Sequence, residues 1–212
     1  MTKKIIYFGD PMCSWCWGFA PTIQKISTEY FEDAPLTITT GGLHAYDTDP
    51  MSDDYKATIR HHWEDVSRTT GAQFNYSFFD REDFVLDTEP ACRAVVIVRA
   101  LDNTKTLTYY ESISRSFYTE NLDTTDINIL KRLADEAGLD VEEFVKLFES
   151  DTLKQMTLED FRFSQKLGVT GFPTIVAKEG NGDEQKLALI SAGYQPYQNI
   201  KPIIDHWLEH GL

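Results

Sequence analysis

Cys13 and Cys16 stand with two residues between them in Asp10-Pro11-Met12-Cys13-Ser14-Trp15-Cys16, between a β-branched apolar run and a stretch with helical periodicity. A pair at this spacing serves either dithiol–disulfide exchange or metal ligation, and context selects between them. Where a strand hands over to a helix, the helix N-terminus offers free backbone N–H groups and a partial positive charge. A thiolate is stabilised there, so Cys13 is expected to have a lowered pKa and to act as the nucleophile. Cys16 lies one turn further along the same helix face, within reach of a disulfide, which suits a resolving thiol. A tetrahedral zinc site wants four ligands and this motif supplies two. No second cysteine pair exists, the five histidines are scattered, and the neighbours His61 and His62 point in different directions on a helix. The expectation is a redox pair and no metal.

A second signal is Gly168-Val169-Thr170-Gly171-Phe172-Pro173-Thr174, just ahead of a strand pattern. Taken alone it reads as an ordinary turn, since only about 5–6% of X-Pro bonds are cis. Other residues near the pair carry two readings each. Asp10, three residues before Cys13, suits capping or orienting the loop, with a proton relay as the alternative. Cys92 sits in the apolar run 91–101, where a free cysteine behaves as a small buried hydrophobe, against a third redox thiol. Trp15 and Trp17 flank the pair and offer a docking surface, although Trp17 at helical spacing suits the core. His44, after Gly41-Gly42, is placed near the cysteines by position only.

These residues need elements to hold them. Residues 3–9 read as a buried strand, 14–31 as a helix with a kink at Pro21, and 36–40 as a second strand. Strand, helix and strand in so short a span make a βαβ unit, which favours a parallel pair. From about residue 53 to 168 the patterns are helical: 52–70, 91–101 with Pro90 at its start, 107–118, 126–137, 141–150 and 152–167. Asp140 with Glu143 approximates a capping box, and Gly138 sits where a helix-ending glycine belongs. Strands return at 174–178 and 186–192, joined by a turn at 180–183, and a last helix spans 197–210. The helical block thus reads as an insertion into an α/β domain formed by the two ends, with residues 1–50 and 168–212 as the discontinuous domain and 51–167 as the insert.

Composition is that of a globular chain: 42% hydrophobic, 25% charged and 13% aromatic over 212 residues, enough for a sizeable core. A net charge of −14, from 34 acidic against 20 basic residues, repels phosphate backbones and anionic lipid. Nucleic-acid and membrane partners are therefore not expected. The basic residues 1–4 precede an apolar run too short for a signal peptide, so the expected location is cytoplasmic. In a reducing compartment, three cysteines point to catalysis rather than to a disulfide scaffold.

A strand, a C-x-x-C, a helix and a late Gly-Val-Thr-Gly-x-Pro-Thr before a hairpin together resemble the thioredoxin superfamily, and the helical insertion resembles its DsbA-like branch. Asp-Pro-Met-Cys-Ser-Trp-Cys-Trp-Gly-Phe is similar to the cytoplasmic FrnE-like proteins of that branch, described as protein-disulfide isomerases. The resemblance covers the whole chain in element order, with close motif matches at 9–19 and 168–174. It implies a thioredoxin-like α/β fold with a large α-helical insertion and a cis Pro173 facing the cysteines, beside which an extended substrate adds as a strand. By the same resemblance Phe172 and Trp15 shape the docking site, against a reading of Phe172 as a core aromatic. Ser14-Trp15 stands where DsbA has Pro-His and thioredoxin Gly-Pro. It lacks a histidine donor, which argues against a strongly oxidising protein and for a reductase or isomerase. The implied activity is thiol–disulfide exchange on protein or small-molecule disulfides, with no cofactor and with glutathione as a possible redox partner. Two rivals remain: a glutathione-dependent isomerase or transferase of the kappa-class type, and a thioredoxin-fold binding module without catalysis.

Overall fold

The computed structural model describes residues 2–212; residue 1, the first of the basic N-terminal four, lies outside them. The chain opens with the expected βαβ unit: β1 (Lys3–Gly9), α1 (Ser14–Glu29) and β2 (Leu36–Thr40). β1 and β2 run parallel in register from Ile5 opposite Leu36 to Gly9 opposite Thr40. Six helices follow: α2 (Asp53–Thr70), α3 (Glu89–Leu101), α4 (Thr106–Tyr118), α5 (Ile127–Glu136), α6 (Val141–Glu149) and α7 (Asp151–Lys166). β3 (Thr174–Glu179), β4 (Lys186–Ala192) and α8 (Tyr197–His210) complete the chain. The sheet order is β2-β1-β3-β4, with β3 antiparallel to both of its neighbours. This is a mixed α/β thioredoxin-like fold.

Local chemistry sets most element ends. The Asp140 carboxylate accepts the Glu143 backbone N–H at 3.0 Å, the expected cap of α6. Gly138 takes φ 68° just past α5, where a side chain would be strained. α1 runs unbroken through Pro21 to Glu29. The β3–β4 connection is not a plain turn but includes a 3₁₀ turn over Gly182–Glu184, and a second 3₁₀ turn at Tyr76–Asp80 follows α2.

β1 shows why the sheet sits centrally. Its residues alternate between faces. Ile5 and Tyr7 join the main core with Phe19, Ile23 and Ile26 of α1 and Ile204 and Trp207 of α8. Ile6 and Phe8 join Val176 in a smaller core on the other face, where Phe163 of α7 closes on Phe8 with ring centroids 5.7 Å apart. The main core continues into the helical block around Trp63 of α2. The rings of Phe74, Phe78, Phe79 and Tyr118 lie 4.8–5.1 Å from the Trp63 ring.

One polar clamp ties this block to the sheet. Arg99 of α3 donates to both oxygens of Asp160 on α7, at 2.7 and 2.9 Å, and to the Ile38 carbonyl of β2 at 2.6 Å. Asp160 also accepts the Thr40 N–H at 2.9 Å. Removing one member leaves the other charge partly buried without its partner. Asp160→Ala is therefore expected to cost roughly 3 kcal/mol in urea unfolding, and a loss under about 1 kcal/mol, as for an exposed pair, would refute this role.

Candidate active site

The end of β1 builds the site. Gly41, following β2, donates its N–H to the Gly9 carbonyl at 2.9 Å, so the chain leaves both parallel strands at the same level. The fully buried Asp10 then ties the two departing loops together. Its carboxylate accepts the Met12 N–H at 2.8 Å and the Leu43 N–H at 2.7 Å, and the Cys92 thiol donates to it at 3.4 Å. The loop-orienting reading of Asp10 describes this geometry. Burial pushes its carboxyl above the usual range, against the pull of the Leu43 and Met12 donors. Cys92 is buried, yet it is also a hydrogen-bond donor to the site's central carboxylate. From behind, Ser114 of α4 donates to the Pro11 carbonyl at 2.8 Å.

This loop delivers Cys13 to the N-cap of α1 and Cys16 to its first turn. Both are buried, at 5% and 1% exposure, and all three cysteines are free thiols. The expected lowering of the Cys13 pKa is not found. Its hydrogen bond with Cys16 and its own burial push the thiol well up, and the Cys16 backbone N–H pulls the other way without prevailing. The helix terminus is legible from position, whereas the hydrogen bond with Cys16 and the burial that outweigh it arise only in the fold. The Cys13 thiol points toward the Phe172 carbonyl, with sulfur and oxygen 3.7 Å apart.

The Phe172–Pro173 bond is cis. The Phe172 ring packs over Gly41, where a Cβ would lie 2.0 Å from it, and against the smaller core. Its carbonyl and its ring thus serve different neighbours. Half-buried Trp15 leans on Tyr194, with ring centroids 6.0 Å apart, and Ser14 beside it is also half-buried. Trp17 stacks on Tyr118 and donates to the Gln73 carbonyl at 3.0 Å, a packing role.

A cavity of about 310 Å³ opens onto Cys13. Trp15, Phe172 and Leu43 form one side, and α2 contributes Tyr55, His62 and Trp63 on the other. His44 lines it too, bonded to the Tyr55 hydroxyl at 3.0 Å and close to Asp47 at 3.3 Å. Sequence reasoning did not place Tyr55, His62 or Trp63 here; only the aromatic clustering after α2 hinted at it. A larger groove of about 510 Å³ lies on the far side of the 167–172 loop, against β4, and includes neither cysteine. Among the described residues no group of three or more potential metal ligands gathers, and no helix is long and apolar enough to cross a membrane.

A family model described as thioredoxin (Thioredoxin_5) matches residues 7–202. Among solved structures, a proposed protein disulfide isomerase from Nitrosomonas europaea is 38% identical, with a TM-score of 0.92 and 100% of both chains covered. The cytosolic disulfide reductase DsbM from Pseudomonas aeruginosa shares the fold, with a TM-score of 0.73 at 24% identity over 98% of this chain and 93% of that one. The ClpXP adapter protein SpxH of Bacillus cereus is 25% identical over 86% of this chain, and that of Bacillus subtilis 23% over 93%. The chain spans 61% and 66% of the lengths of those two adapters.

The raised Asp10 pKa sets a pH dependence. A carboxyl that holds its proton more tightly when folded makes the fold lose stability as pH rises from the ordinary aspartate value through the raised one. Comparing urea midpoints from pH 4 upward, Asp10→Asn is expected to remove that decline. A decline of equal slope in both proteins would rule Asp10 out as its source.

Proposed function

The chain belongs to the thioredoxin family, and on that footing we propose that it is a thiol–disulfide oxidoreductase that reduces or isomerises disulfides through Cys13 and Cys16. The observation that carries this reading is the placement of Cys13: it caps α1, faces the Phe172 carbonyl beside the cis proline and opens onto a cavity, while Cys16 lies buried behind it. Cys13 as thiolate attacks one sulfur of a substrate disulfide. A mixed disulfide forms, and the other substrate sulfur leaves and takes up a proton. Cys16 then attacks the Cys13 sulfur, closing the Cys13–Cys16 disulfide and releasing the second substrate thiol. Glutathione or a reductase returns the pair to the dithiol.

The direction follows from the thiol. Strong oxidants of this fold owe their poise to a stabilised reduced form. Here the Cys16 thiol and burial push the Cys13 pKa up, which supports a reducing over a strongly oxidising poise. A reducing poise also fits the expected cytoplasmic location. The cavity supports a substrate with apolar or aromatic groups beside its disulfide. Its lining residues include His44 and His62 but no lysine or arginine.

A second reading, protein binding without turnover, draws on the adapters among the relatives. Equilibration against a glutathione series separates the two. The oxidoreductase reading expects one two-electron transition near or below about −230 mV, abolished in Cys13→Ser and in Cys16→Ser, with Cys16→Ser accumulating the mixed disulfide on Cys13. Cysteines that form no reversible disulfide would overturn it in favour of the binding module.

A further inference from the structure

Behind the cysteine pair, on the side away from the cavity, two tyrosyl hydroxyls are buried without ordinary partners. Tyr7 of β1 is 0% exposed and Tyr110 of α4 is 2% exposed. Neither hydroxyl has a hydrogen bond of standard geometry to any described residue. A buried hydroxyl left unpaired is costly, and two in one place call for an explanation. The other buried tyrosine of α4 sets the contrast, since Tyr109 donates to the Leu130 carbonyl at 2.8 Å.

The two hydroxyls converge. The rings of Tyr7 and Tyr110 meet edge to face with centroids 5.9 Å apart. A Cβ at Gly9 would lie 2.8 Å from the Tyr110 oxygen and 2.9 Å from the Tyr7 oxygen, so the glycine ending β1 leaves the space in which they meet. Cys16 is the thiol that acts on the Tyr7 hydroxyl. Burial first, and then Cys16, hold its phenol well above the ordinary value, so it stays a donor throughout the working pH range. Tyr110 is pushed up by burial and by the same thiol. The other ionisable groups around the pair are Cys13, Asp10 on the β1 side and Tyr118 of α4, none of them cationic.

Resting on the oxidoreductase reading, we infer that the Tyr7 hydroxyl donates a hydrogen bond to the Cys16 sulfur as it resolves the mixed disulfide, with Tyr110 as a positioning residue that donates to Tyr7. When Cys16 attacks, its S–H proton is lost, the Cys13–Cys16 bond forms, and the bond between Cys13 and the substrate sulfur breaks. The departing substrate thiolate ends as the protonated thiol, so one proton and one bond are exchanged and no further reagent is required. The negative charge that develops on Cys16 lies in a fully buried place with no cation beside it. A chain of two hydroxyl donors, each polarising the next, supplies the stabilisation that solvent would otherwise give.

The test resolves the two steps with dithionitrobenzoate, whose leaving thiolate is coloured. The reduced wild type releases one equivalent as Cys13 forms the mixed disulfide and a second as Cys16 resolves it. Tyr7→Phe is expected to keep the first phase and slow the second by about tenfold or more, as for loss of one hydrogen bond to a charged group, and to move the pH profile of the second phase to higher pH. Tyr110→Phe shifts both in the same direction by less, and Tyr109→Phe leaves both phases unchanged. A second phase in Tyr7→Phe at the wild-type rate and pH profile overturns the inference. If Tyr7→Phe does not fold, Tyr110→Phe decides by the same criterion. Absence of any second phase in the wild type would refute the oxidoreductase reading itself, a result separate from either variant's.

Discussion

The site hangs on one buried carboxylate. Asp10 takes backbone N–H groups from two loops that leave neighbouring parallel strands, and a thiol from a third element. Burying a charge is unfavourable unless donors surround it, so the carboxylate enforces the meeting of Met12, Leu43 and Cys92. The start of α1 and the position of Cys13 follow from that meeting. So does the place of Gly41, whose missing side chain admits the Phe172 ring and thereby brings the cis-proline loop to the cysteines.

A second constraint is the aromatic mass of the helical block. Trp63 and the rings packed on it form a rigid wall continuous with the core of the sheet, and that wall closes one side of the cavity over Cys13. The helical block therefore shapes the approach to Cys13, while the sheet and α1 determine where Cys13 lies.

Much of this was legible in the residues. The buried apolar run of β1, the alternation of β2, the strand pattern of β4 and the apolar stripe of α8 mark elements whose bounds the structure reproduces, because burial leaves a trace in residue type and period. The strand-to-helix setting of Cys13 was legible for the same reason. Three features left no such trace. Asp10 and Cys92 are 82 residues apart, and nothing local in either segment announces their contact. Tyr7 and Tyr110 gave no signal of their own, since strand and helix patterns say which face is buried and not which hydroxyl ends unpaired. The Cys13 pKa was misjudged because helix dipoles can be read from position, whereas the hydrogen bond with the Cys16 thiol and the burial of the sulfur depend on the folded geometry.

The contact between Cys13 and Phe172 spans 159 residues. On a ribosome the chain emerges from its N-terminus, so the reactive pair is made early and the loop that covers it is made late. At ordinary elongation rates of about 5–20 residues per second, that interval is roughly ten to thirty seconds. For that time the nascent chain carries a C-x-x-C pair that lacks its cis-proline cover and its partner strands β3 and β4. At that stage the two thiols lack the cover that the finished fold gives them, and a compartment that keeps thiols reduced would protect the unfinished chain.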